Sequence, residues 1–152
     1  MTIREELGAD HARLAKMFRT LVDTVEGADL PDVARTWAEF EGGLLAHLDV
    51  EEKRLFPLLA HEHPDAVASA LRQHARVREL IAELGVRAEL HTIRKWAVDE
   101  LVALLAGHAA FEDEMLYPLA DAAMDEVRQR LALQSLREDA QRRAGELGAR
   151  IM

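Results

Sequence analysis

The 152-residue sequence contains no cysteine. Disulfide bonds, thiolate metal ligands and thiol redox chemistry are therefore excluded, and any metal must be held by histidine or carboxylate. Alternating β-branched segments are also missing, so no strand pattern competes with helix formation. No stretch approaches the roughly 20 apolar residues of a membrane span. The opening residues, MTIREELGADHARL, place acids and arginines where a secretion signal needs an apolar core. A cytoplasmic location without a membrane partner is expected. Positive charge is in short supply: 19 Lys and Arg stand against 28 Asp and Glu, a formal net charge of -9. A nucleic acid would be repelled by such a surface. Small molecules, metals and proteins remain as partners.

What is present favours helices. Ala, Leu, Glu and Arg are abundant, and apolar residues recur every three or four positions. With 49% apolar and 31% charged residues, the chain has the material for one solvated core. A first helix is predicted from about Ile3 to Val25, with Leu7, His11, Leu14, Phe18 and Leu21 on one stripe and Gly27 as its stop. Pro31 suits the first turn of a second helix, which carries Trp37, Leu44, His47, Glu51 and Leu55 until Pro57 kinks or closes it. Pro64 opens a third, with Val67, Leu71, His74, Val77 or Arg78, and Ile81 on a face and Gly85 near its end. A fourth, from about Glu89 to Pro118, carries Ile93, Leu101, Leu104 or Leu105, His108, Glu112 and Met115. The expected fold is all-α: an up-down four-helix bundle over residues 1–120 with an additional C-terminal helix. That extension, 121–152, has a ragged stripe of Val127, Leu131, Leu136 and Leu147. It would pack on the bundle or on a partner, such as a second copy in a homodimer.

The chain also repeats itself. HLDVEEKRLFPLLA from His47 matches HAAFEDEMLYPLAD from His108, and DHARL at Asp10 matches QHARV at Gln73. The offsets, 63 residues from His11 to His74 and 61 from His47 to His108, place matching residues at nearly one level of two helix pairs. An approximate two-fold axis follows, on which His11, His47, His74 and His108 converge with Glu51 and Glu112. Residues four apart on a helix lie about 40° apart around its axis, so each His-x-x-x-Glu pair can grip one centre. A lone inward histidine is most simply a hydrogen-bonded core residue; six ligand-type residues on four apolar stripes are not. Two buried carboxylates are costly without cations. Imidazole and carboxylate together suit iron, manganese or zinc, and six side chains would crowd one ion but can share two.

This pattern resembles the hemerythrin-like, or HHE cation-binding, family over roughly residues 3–120, including the Leu-aromatic-Pro after each Glu. The resemblance implies a non-haem di-iron centre with an oxo or hydroxo bridge, ligated by His11, His47, His74 and His108 and bridged by Glu51 and Glu112. Family members bind dioxygen, sense oxygen, iron or nitric oxide, or decompose peroxide. In oxygen carriers the third helix supplies a second histidine four residues on; here that position is Arg78. Open positions on both metals suit catalase-like decomposition of hydrogen peroxide, or handling of nitric oxide, better than reversible oxygen binding. A non-enzymatic sensor signalling through the C-terminal helix is the alternative.

Arg78 and Arg54 face the site by spacing and could donate to a bridging Glu or a bound anion. Equally, their guanidinium groups could reach out to acids such as Glu52 or Glu79. Tyr117, five residues after Glu112, should turn off the ligand face into a core or supporting role. Gly42 and Gly43 point to a close helix approach, and Trp37 and Trp96 to the core.

Overall fold

The computed structural model describes residues 2–26, 30–89 and 95–125, and beyond them 128–131, 133–135, 137, 138, 141 and 142. Four long helices carry the bundle: α1 (Ile3–Glu26), α2 (Leu30–Val50), α4 (Pro64–Glu89) and α5 (Lys95–Phe111). Two short helices continue α2 and α5: α3 (Phe56–Leu59) and α6 (Tyr117–Ala123). Between each long helix and its continuation runs a single π-helical turn, Glu51–Leu55 and Glu112–Leu116. No strand occurs among the described residues. Gly27, His91 and Ile93, and Val127, Leu136 and Leu147 of the C-terminal stripe, lie outside the described residues.

Two apolar clusters fill the bundle. One unites Leu14, Phe18 and Leu21 of α1 with Trp37, Phe40 and Leu44 of α2, Val77, Ile81 and Leu84 of α4, and Val98 and Leu101 of α5. The other unites Ile3, Leu7, Leu55, Phe56, Val67, Ala70, Leu116 and Tyr117. The first cluster thus draws on the later part of α1 and α4 but the earlier part of α2 and α5. Only helices of alternating direction allow this, so the bundle runs up-down-up-down. On each helix the inward histidine falls between the residues of the two clusters. Gly43 lets α1 and α2 approach closely, because a Cβ there would lie 3.1 Å from Leu14 Cδ2. The Asp121 carboxylate at the end of α6 accepts from the Ile3 and Arg4 amides at 2.7 and 3.2 Å, capping α1.

The π turns account for several departures from simple helical spacing. In each, the N–H after the turn donates to the carbonyl five residues back, Phe56 to Glu51 and Tyr117 to Glu112. Proline follows immediately, and its ring would collide with the carbonyl four residues back in a tight α turn. The wider turn relieves this. Pro57 therefore does not at once close the helix, which runs on to Leu59. Past each turn the buried positions fall one residue later than α spacing predicts. Met115 is 44% exposed, while Leu116 and Tyr117 are buried.

Two further expectations are corrected. Trp96 is 60% exposed, standing in the first turn of α5, whereas Trp37 is buried with its Nε1 donating to Glu41. Leu71 is exposed, and the smaller Ala70 takes the inward place on α4. Gly85 lies near the end of α4, as expected, with Glu89 the last residue of the helix; a Cβ there would meet Glu41 and Trp37. In the C-terminal extension Leu131 is exposed, Leu133 is buried in the second cluster, and Arg137 Nε donates to Glu6 at 2.9 Å. No helix among the described residues is long and apolar enough to cross a membrane.

Candidate metal centre

All six residues singled out by the repeat meet at the middle of the bundle. His47, Glu51, His74, His108 and Glu112 are buried, and the side chain of His11 is 11% exposed. Every imidazole presents Nε2 to the carboxylates. His47 Nε2 lies 2.9 Å from Glu51 Oε1, and His108 Nε2 lies 2.9 Å from Glu112 Oε1. His11 Nε2 stands 3.0 Å from Glu112 Oε1, and His74 Nε2 stands 3.5 Å from Glu112 Oε2 and 3.7 Å from Glu51 Oε1. The donor atoms fall into two overlapping sets, Glu51–His74–His108–Glu112 and His11–His47–Glu112, each spanning at most 4.8 Å. Glu112 belongs to both.

The far side of each ring faces an acceptor. Asp10 Oδ2 is 2.6 Å from His47 Nδ1, Asp113 Oδ1 is 3.2 Å from His11 Nδ1, and Gln73 Oε1 is 2.6 Å from His108 Nδ1. Glu52 Oε2 stands 3.6 Å from His74 Nδ1. An imidazole that donates through Nδ1–H keeps its lone pair on Nε2, aimed at the centre. The repeat pairs these supports as well: Asp10 with Gln73, and Asp113 with Glu52. They extend the six-residue set and were recognisable in the sequence only as neighbours of the histidines.

Both oxygens of Glu51, Oε2 of Glu112, and Nε2 of His74 and His108 are buried without a hydrogen-bond partner. Close approach without hydrogen-bond geometry means that these atoms aim at shared points in space. Such groups carry several kcal/mol of desolvation cost unless a cation meets them. The metal-free electrostatics are divided accordingly. Burial and the Glu112 charge push the Glu51 carboxyl well above the usual range. Burial acts on Glu112 the same way, but close polar contacts with Glu51, His108, His11 and His47 outweigh it and hold Glu112 well below that range. Burial alone would depress His47; the Glu51 charge, the Asp10 bond and close contacts with Glu112 and Glu51 prevail and hold it well above the usual imidazole value. For His108 burial wins and the shift is downward. With nitrogen and oxygen donors only, this set fits a divalent or trivalent metal of the iron, manganese or zinc type.

Tyr117 takes the buried supporting role expected of it, but reaches closer to the centre than α spacing allows. Its Oη lies 3.1 Å from His11 Nε2, 3.3 Å from His47 Nε2 and 3.1 Å from Glu112 Oε1. The phenol oxygen thus lies within hydrogen-bond reach of three groups at the centre. The π turn brings it there, since the bond closes over five residues rather than four. Burial and the charges of Glu51 and Glu112 hold its pKa well above the usual range, so it keeps its proton. The repeat mate is Phe56, whose ring stands 5.1 Å from that of His74. The Glu-x-x-x-x-aromatic-Pro sequence was the available signal.

The two arginines lie elsewhere. Arg54 is exposed, because the π turn swings the third residue after Glu51 outward just as it does Met115. Arg78 turns away from the ligand atoms: its Nη2 donates to Asp49 Oδ1 at 2.9 Å and to Glu52. It steadies the acid behind His74 rather than facing the centre.

Comparison with known proteins agrees with this geometry. The sequence model of the hemerythrin HHE cation binding domain matches residues 2–120. No curated protein and no solved structure matches the chain.

Proposed function

The chain belongs to the hemerythrin HHE cation-binding family, and from that premise we propose that it holds two iron ions and decomposes hydrogen peroxide, with nitric oxide as the other small molecule it can handle. His11, His47, His74 and His108 would hold the metal through nitrogen and Glu51 and Glu112 through oxygen, with the oxo or hydroxo bridge that the family resemblance implies. Manganese or zinc would fit the same donors less specifically. The observation that carries the reading is the set of buried carboxylate oxygens and Nε2 atoms that find no hydrogen-bond partner.

Iron, when bound, supplies the electron exchange with small oxygen or nitrogen ligands. The chain does the rest. Asp10, Asp113 and Gln73 hold the imidazoles in the tautomer that leaves Nε2 free. Tyr117 Oη, kept protonated, is a donor placed beside His11 and His47, where it can steady a developing negative charge on oxygen. No histidine occupies position 78, which leaves the His74 side less fully ligated than an oxygen carrier's.

The test is metal analysis followed by turnover. Protein produced with ample iron should carry about two irons per chain, show the absorption of an oxo-bridged ferric pair, and release oxygen from hydrogen peroxide. His74→Ala should lower the iron content and abolish the release. Absence of any bound transition metal would end the proposal; iron without turnover on peroxide or nitric oxide would reduce it to a binding or sensing role.

A further inference from the structure

Between α1 and α5 lies a pocket of about 470 Å³. Its floor is formed by His11, His47 and His108, and its walls by Leu14, Phe18, Phe40 and Leu44. Exposed Arg19 and Asp23 border it. The repeat maps this α1–α5 seam onto the α4–α2 seam, and the comparison shows where the space comes from. Ala15 corresponds to Arg78, Ala106 to Leu45 and Ala109 to Leu48. All three alanines line the pocket. On the other seam Leu48 is fully buried and Arg78 bonds to Asp49 and Glu52; the mate of Asp49 is Ala110. At these three positions the pocket side carries alanine where the other seam carries a larger residue, although pocket-lining Leu14, Phe18 and Val22 are larger than their counterparts Val77, Ile81 and Gly85.

A water molecule occupies about 30 Å³ of liquid. Dioxygen, nitric oxide or hydrogen peroxide would leave most of this pocket empty, whereas its volume falls within the range that holds organic ligands. Its walls offer apolar surface, with polar groups only at the floor and the rim. We propose that the pocket binds an organic molecule with an apolar body of several carbons and one oxygen-bearing head, the class of medium-chain hydroperoxides and the alcohols of the same shape. The head lies at the histidine floor and the body along α1 and α5. This deepens the metal-centre reading and rests on it for the role of the floor, but the binding itself is a property of the chain.

Titration calorimetry with 1-alkanols from butanol to octanol, on the full chain with and without iron, tests it. One saturable site per chain is expected, tightening about fourfold for each added methylene until the pocket is full. Ala106→Leu and Ala109→Leu each restore the residue of the other half and should weaken octanol binding at least about tenfold, while the iron content stays unchanged. Circular dichroism establishes that each variant is folded, and either one alone suffices. No saturable binding, no dependence on chain length, or binding untouched by both variants would overturn the proposal. Octanol binding by a chain that takes up no metal would sink the metal centre and leave the pocket standing. Normal iron loading without an alkanol site would do the reverse.

Discussion

Replacing Glu51 with Gln and Glu112 with Gln, one at a time, asks whether two residues at equivalent places in the repeat carry equivalent charges. Without metal, burial and the neighbouring Glu112 charge drive Glu51 towards its protonated form. Glutamine has nearly the shape and hydrogen-bonding capacity of a protonated carboxyl group, so Glu51→Gln should leave metal-free stability within about 1 kcal/mol of the parent. Glu112 is the opposite case. Its carboxylate stays ionised because protonated Glu51, His108, His11 Nε2 at 3.0 Å and His47 stabilise the charge, and Tyr117 Oη also donates to it at 3.1 Å. Hydrogen bonds to a buried charge contribute about 1.5–3 kcal/mol, and an amide retains part of them, so Glu112→Gln should cost about 2 kcal/mol. In a chain of this size, thermal melts in chelator, followed by circular dichroism, should then fall by about 4–8 °C for Glu112→Gln and barely move for Glu51→Gln. Both variants should lose bound metal, because an amide cannot bridge two cations as a carboxylate does. Equal losses of stability, or a larger one for Glu51→Gln, would refute the assigned division of charge.

Asp10→Asn keeps the shape behind His47 but weakens its support; metal affinity, measured by competition with a chelator, should drop about 10–100-fold with the fold intact. In the metal-free chain His47 is held above its ordinary value, so the folded state binds that proton more tightly than the unfolded state does. The associated stability is full below the ordinary imidazole pKa and is lost as pH rises through the His47 value, so metal-free melting temperatures should decline over that window and metal uptake should release a proton into a pH indicator. A flat profile that matches His47→Gln would count against it. Trp96→Ser should change stability by no more than about 0.5 kcal/mol, whereas Trp37→Ala should cost about 3–5 kcal/mol, both read from denaturant melts.

The fold was legible because it rests on patterns of wide redundancy. Stripes such as Leu7, Leu14, Phe18 and Leu21 identify helices even when single members are misplaced, and Pro31 and Pro64 both fall in opening turns. The six central residues were legible through the duplication, since a charged or polar residue on an apolar stripe is conspicuous only when it occurs twice at matching offsets. Residues beyond each His-x-x-x-Glu were misread for one physical reason. Met115 and Arg54 were counted inward, and Tyr117 off the ligand face, by α spacing that the chain abandons at Glu51 and Glu112. The supports Asp10, Asp113 and Gln73 depend on contacts between different helices, and no periodicity within one helix reports those. Leu71 and Trp96 are apolar residues at the surface, a common occurrence that pattern alone does not flag.

The wide turns also act as a frameshift in the hydrophobic code of the two helices that carry them. Above each turn one reading frame faces the interior and below it the next frame does, so a change in the number of residues across Glu51–Leu55 or Glu112–Leu116 would rotate everything downstream. Removing one residue from the second turn, for example, would restore α spacing, carry Tyr117 off the centre and turn Leu116 and Ala120 away from the lower cluster they help to fill. A change of length inside either turn is therefore read by every position that follows it in the same helix, whereas a substitution there is read only where it stands.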